Sequence, residues 1–219
     1  MGLLDILGIS ALKAKRDAAK AEEAARQADA DAALDDCEGA VGALSAAQMR
    51  DLKSLYRSAK ALCDSLDRAD ACASVGQPNR MLADVFQTDF MRFFLHLAIA
   101  DGELNPAEAV FMNAVLGCNR TVGEWAIAAI RLEVKSMAYS NEAPFSVRVI
   151  HCAGQDVDID AQEIVSPVFR QLGDALILSD GQASSEELER LEAYMADIQQ
   201  VLGQPAGEIT PPGYPLSIE

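Results

Sequence analysis

The chain has 219 residues, enough for one good core or a core with an appendage, and half of them are hydrophobic while only 5% are aromatic. This composition, rich in alanine, is that of a helical protein whose small residues allow close helix packing. A formal net charge of −16 argues against nucleic acid or an anionic lipid surface as the main partner of the whole surface, and fits cation binding, basic protein partners or plain solubility.

Met1 to Leu12 is apolar at Leu3, Leu4, Ile6, Leu7, Ile9 and Leu12, positions that spread around a whole helix instead of forming a stripe. A dozen residues cannot cross a bilayer, which needs about 20. The basic cluster Lys13, Lys15, Arg16 and Lys20 follows the apolar run instead of preceding it, so no secretory signal is evident. A hydrophobic tip before basic residues suits contact of residues 1–20 with the inner face of a membrane, or docking into a groove on a protein partner. Packing on its own domain and self-association are the alternatives. Ile6 stands where a myristoylation signal at Gly2 would want Ser or Thr. Ala14 to Ala33, without Gly or Pro and almost without large apolar residues, reads as a helical stalk, and Gly39 and Gly42 mark its break.

Ser45 and Gln48 stand at capping-box spacing ahead of a long amphipathic helix. Its core face carries Met49, Leu52, Leu55, Tyr56, Ala59, Leu62, Cys63 and Leu66, and its outer face carries Arg50, Asp51, Lys53, Arg57, Lys60, Asp64, Asp67 and Arg68. After a loop at Gly76 to Asn79, a helix starting at Asn79 or Arg80 holds most of the phenylalanines, Phe86, Phe90, Phe93 and Phe94, and is predicted to be the central one. His96 beside them reads as a satisfied core or interface histidine.

The next stretch occurs twice. Leu95 to Leu116 and Asp174 to Met195 each run as helix, Asp-Gly, short loop, new helix, with Gly102 and Gly181 able to take the left-handed conformation that closes a helix. Asn105 and Ser184 are N-caps three residues beyond those glycines, and Glu108 and Glu187 sit three residues beyond the caps. Helix punctuation alone accounts for that pattern. Two such hairpins packed about a pseudo-twofold would also bring Asp101, Glu108, Asp180 and Glu187 around one acidic pocket, where a hard divalent cation relieves carboxylate repulsion.

Between the copies, Thr121 and Glu124 open a helix carrying Trp125. The segment from Pro144 to Ala153 alternates like a strand but has no strand to pair with, so it reads as a short helix. Asp156, Asp158 and Asp160 resemble half an EF-hand loop, yet Ala161 and Pro167 occupy the places of its glycine and glutamate, so it is not one. Asp156 and Asp158 remain outer-ligand candidates. The last helix runs from Ser185 to Leu202, with Leu188, Leu191, Tyr194, Met195, Ile198 and Leu202 on one side, and ends at Gly203. The remainder holds half of the prolines and reads as an extended tail.

Five cysteines, Cys37, Cys63, Cys72, Cys118 and Cys152, form no C-x-x-C pair and read as buried free thiols. No phosphate loop, dinucleotide motif or nucleophile elbow is present, which argues against an enzyme.

Two Asp-Gly hairpins, each with a glutamate six residues after its glycine in an acidic helical chain, resemble the tellurite-resistance TerB-like domains, found also at the start of DjlA-type co-chaperones. The resemblance covers Asn79 to Gly203. It implies an all-α compact bundle of two similar helical-hairpin halves, an acidic cluster binding calcium or magnesium, a bacterial-type cytoplasmic location, and a non-enzymatic adaptor role in stress or conflict systems at the inner face of a membrane. The organisation expected is an N-terminal tip and stalk over 1–44, the bundle over 45–203 and a Pro-rich tail over 204–219.

Overall fold

A computed structural model describes residues 42–67, 72, 80–136, 143–156 and 160–205. The N-terminal tip and stalk up to residue 41, most of the Pro-rich tail, Cys37 and Asp158 lie outside the described residues. Among the described residues the chain is all-α: α1 Ala46–Asp67, α2 Leu82–Ala98, α3 Pro106–Leu116, α4 Val122–Ser136, α5 Phe145–Asp156, α6 Ala161–Ile177 and α7 Ser185–Leu202. The segment that alternates like a strand is helix α5, as its lack of a strand partner requires. No helix among the described residues is long and apolar enough to cross a membrane.

The core is organised around α2, which packs against each of the other six helices. It buries residues on nearly all sides (Leu82, Val85, Phe86, Phe90, Phe93, Phe94, Leu95 and Leu97), so it is a central helix and not an amphipathic surface one. Phe90 is the hub: its ring stacks on Phe169 of α6 at 4.2 Å between centroids and meets the edges of Tyr56, Phe93 and Phe94 at 5.3 to 5.8 Å. Offset and edge-on geometries of this kind add about 0.5–1.5 kcal/mol per pair beyond the burial of the rings.

The helices of the two halves pair as hairpins, α2 with α3 and α6 with α7. Gly173 sets the spacing of the second pair. A Cβ there would lie 2.6 Å from Leu191 Cδ1 and 2.9 Å from Phe93 Cζ, so only glycine lets α6 approach α7 and α2 this closely.

Two helices begin on carboxylates borrowed from elsewhere. Met81, at the N-cap of α2, makes no side-chain cap. Instead Asp67, the last residue of α1, accepts the N–H groups of Leu82 and Ala83. For this reason α2 starts at Leu82 and not at Asn79 or Arg80: the cap is fixed by a residue fifteen positions earlier. Asp89, buried in the middle of α2, likewise accepts the N–H of Ser146 in the first turn of α5 at 2.8 Å. Burial pushes the Asp89 carboxyl up, against the opposing pull of the Ser146 N–H and of Arg92.

Two further assignments from the pattern are corrected. Lys53, placed on the outer face of α1, is only 6% exposed. It sits on the row Met49, Lys53, Tyr56, Cys63 that faces the core, where its four-carbon stem serves as apolar surface. Leu188, placed on the inner side of α7, is 46% exposed; the buried stripe of that helix runs instead through Glu187, Leu191, Met195, Ile198 and Leu202. Cys63 and Cys72 are buried, as expected, whereas Cys118 and Cys152 are half-buried.

Candidate functional site

Each Asp-Gly loop is built the same way, and from local chemistry. The apolar helix closes with Gly102 N–H donating to Ile99 O and Gly181 N–H donating to Leu178 O, both at 3.1 Å. Both glycines are left-handed, with φ of 91° and 83°. Each aspartate then turns back on its own loop: Asp101 Oδ1 accepts from Glu103 N at 3.0 Å, and Asp180 Oδ1 accepts from Gln182 N at 2.8 Å.

The new helices start on complete capping boxes. Asn105 Oδ1 accepts from Ala107 N at 2.9 Å, and Glu108 Oε2 accepts from Asn105 N at 2.8 Å. Ser184 Oγ accepts from Glu187 N at 3.1 Å, and Glu187 Oε2 accepts from Ser184 N at 2.8 Å. The two boxes therefore satisfy the N-terminal donors of α3 and α7 by the same reciprocal geometry.

The fold then brings these boxes together. Asn105 Nδ2 donates across the hairpins to Asp180 Oδ2 at 3.1 Å, joining the first loop to the second. Glu108 and Glu187 are 3% and 5% exposed, and the carboxyl groups of Glu187 and Asp180 bear on that of Glu108. Burial, reinforced by Glu187 and Asp180 and opposed by the Asn105 N–H, pushes the Glu108 carboxyl up to about 8.

Of the four acids singled out by the repeat, Glu108, Glu187 and Asp180 are gathered and Asp101 is not. Asp101 is exposed and is occupied by its own turn. Among the described residues no group of three or more His, Cys, Asp and Glu side chains stands in an arrangement to hold a metal ion. Glu108 Oε2, Glu187 Oε2 and both oxygens of Asp180 accept N–H donors. The side chain of Asp156, like the whole of Asp158, lies outside what is described.

Asn105 carries the signal that sequence reasoning missed. As a cap it could have been Ser, as in the second copy; as Asn it has an amide to spare for Asp180. The two histidines stand apart from the acids. His96, half-buried on α2, is lowered to about 4 by burial and by Arg190 and Arg92, and is neutral at physiological pH. His151 Nε2 lies 2.9 Å from the Gln204 carbonyl, tying α5 to the end of α7.

Large apolar side chains left in solvent mark another region. Ile127 and Ile130 on α4 are 53% and 61% exposed, with Val122 at the start of the same helix also exposed. The buried side of α4 is anchored by Trp125, whose Nε1 donates to Asn113 Oδ1 at 3.0 Å under the guanidinium of Arg120. Against protein-family models, curated proteins and solved structures, the chain finds no match.

Proposed function

We propose that this chain is a TerB-like interaction module, a non-enzymatic helical adaptor that joins a protein partner to a membrane surface or larger assembly in a bacterial stress or conflict system. The observation that supports this reading is the meeting of the two Asp-Gly hairpins through Asn105 and Asp180, a direct tie between the repeated loops that suits a rigid scaffold. The N-terminal tip, residues 1–20, is the anchoring element in this proposal, and the exposed Ile127 and Ile130 offer an apolar contact for the protein partner. The calcium or magnesium implied by the family resemblance is left out of the proposal because the acids do not gather as a ligand set.

Deletion of residues 1–33 tests it. The shortened chain is expected to keep the helical circular dichroism and cooperative melting of the full chain while losing its subcellular position, observed as a fluorescent fusion. Unchanged localisation with an intact fold would sink the anchoring role. A companion Ile127→Asp, Ile130→Asp variant is expected to keep the position and lose the partner.

A further inference from the structure

Ile127 and Ile130 of α4 are the most exposed large apolar side chains among the described residues. The helix packs on α2 and α3 through its other side, where Trp125, Ala128 and Ala129 are buried. At about 100° per residue, positions 123, 127 and 130 fall together on the face turned away from those three, in the four-then-three spacing of a coiled-coil seam. That face is open at its start: Gly123 is exposed, and a Cβ there would meet nothing nearer than Thr121 Oγ1 at 4.0 Å. A second helix can therefore come close at Gly123 and seat its own apolar side chains between the two isoleucines.

Charge says which helix that is. α4 carries two acids, Glu124 and Glu133, and two bases, Arg131 and Lys135, so it is neutral within a chain of net charge −16. A basic protein is drawn to the acidic remainder of the surface, whereas two copies of an acidic chain meet at least cost where each is neutral. The pattern is also self-complementary. Glu124 and Arg131, both exposed, lie seven residues apart along one flank of the seam. When two such helices run antiparallel about a twofold axis, Ile127 of each faces Ile130 of the other, and Glu124 of each comes level with Arg131 of the other. The Thr121 N–H and hydroxyl donate to Glu124 Oε2 at 2.7 and 2.9 Å and hold that carboxylate in place. Arg131 also interacts within its own chain, and its several N–H donors can serve both contacts.

We propose that the chain self-associates through α4, as an antiparallel helix pair with Gly123, Ile127 and Ile130 in the seam and reciprocal Glu124–Arg131 pairs beside it. This names a second copy as the partner at the apolar contact of the adaptor reading, and rests on that reading for the contact alone. One helix of 15 residues from each copy makes a small interface, so the association is weak and reversible.

The test is analytical ultracentrifugation of the full chain from the micromolar to the millimolar range, with isotope-filtered NMR on a mixture of labelled and unlabelled protein. A monomer–dimer equilibrium is expected, with Overhauser contacts from the Ile127 methyls of one copy to the Ile130 methyls of the other. The variant Ile127→Asp, Ile130→Asp is expected to be monomeric throughout with unchanged circular dichroism, since both side chains are exposed. Arg131→Glu should weaken the dimer by about tenfold, because two exposed ion pairs become two like-charge contacts. A chain that stays monomeric to millimolar concentration overturns the proposal. Deletion of residues 1–33 then shows, by a shift of the Ile127 and Ile130 methyl resonances, whether the chain's own N-terminal segment is the occupant instead. A dimer that survives the double Asp substitution, or whose Overhauser contacts arise elsewhere, also overturns it, and an Arg131→Glu dimer as tight as the wild type overturns the antiparallel pairing. Unchanged localisation on deletion of residues 1–33 sinks the anchoring role and leaves self-association standing, so the two readings fail separately.

Discussion

Replacing Gly173 with alanine sets two effects of similar size against each other, and the packing decides between them. Gly173 lies inside α6, where exchange to alanine should favour the helix by about 1 kcal/mol. The added Cβ, however, would sit 2.6 Å from Leu191 Cδ1 and 2.9 Å from Phe93 Cζ, against an ordinary carbon–carbon contact of about 3.5–4.0 Å. Both neighbours are fully buried, so neither side chain can swing out to make room. Relief requires α6 and α7 to separate by about 1 Å, and overpacking of this kind costs about 1–3 kcal/mol. The net expectation is a loss of up to about 2 kcal/mol, which at this chain length lowers Tm by up to roughly 8 °C. Thermal unfolding followed by far-UV circular dichroism reads it directly. Leu191→Ala alone should cost about 2–5 kcal/mol through its cavity. Because it removes the nearer clash, the double variant should be more stable than the sum of the two losses by about 1 kcal/mol. A Tm that rises in Gly173→Ala would refute the reasoning, since helix propensity would then have won and α6 could not be seated against Leu191 as described.

Asp89→Ala should cost about 2–3 kcal/mol by urea unfolding, because it leaves the Ser146 N–H buried and unpaired, while Asp89→Asn, which keeps an acceptor, should cost much less. Equal losses in the two variants would deny Asp89 its role as a cap. Gly42 and Gly181 are both left-handed, at φ of 51° and 83°, yet a Cβ on Gly42 would fall 1.7 Å from the Ser179 carbonyl oxygen and one on Gly181 would meet nothing within 4 Å. Gly181→Ala is therefore expected to cost about 1–2 kcal/mol from backbone strain alone. Gly42→Ala should cost distinctly more, or displace the chain from the second Asp-Gly loop, seen as faster amide exchange at Ser179 to Gly181.

The hairpins were legible in the sequence because their signals are local. Asn105 and Glu108, like Ser184 and Glu187, close on each other within one turn, and the glycine that ends the preceding helix is fixed by backbone sterics alone. The central helix was legible from its phenylalanines, since four of the chain's seven on one helix must face in more than one direction. What escaped was everything that depends on distance along the chain. The start of α2 is set by Asp67 and that of α5 by Asp89, fifteen and 57 residues away from the donors they satisfy. Lys53 was assigned by its charge, although its position in the Met49 to Cys63 row was the better guide. Leu188 was assigned by its hydrophobicity, and its place beside Glu187 shows that the acid took the inward position. The acids themselves were found by repetition, but repetition says nothing of which way an oxygen points. The sequence therefore led to four candidate ligands, and the fold gathers Glu108, Asp180 and Glu187 while Asp101 turns back on its own loop.

The borrowed caps bear on how the duplicated architecture can be taken apart. A fragment beginning at α5 would start with a Ser146 N–H that only Asp89 can close, and a fragment beginning at α2 would miss Asp67 in the same way. The first hairpin, α2 with α3, thus carries a need that α1 meets, whereas the second, α6 with α7, starts beside its own Asp160, which accepts the Glu163 N–H. Although the two Asp-Gly hairpins repeat one pattern, they are not interchangeable modules, and the first cannot be excised or expressed alone without being given a cap of its own.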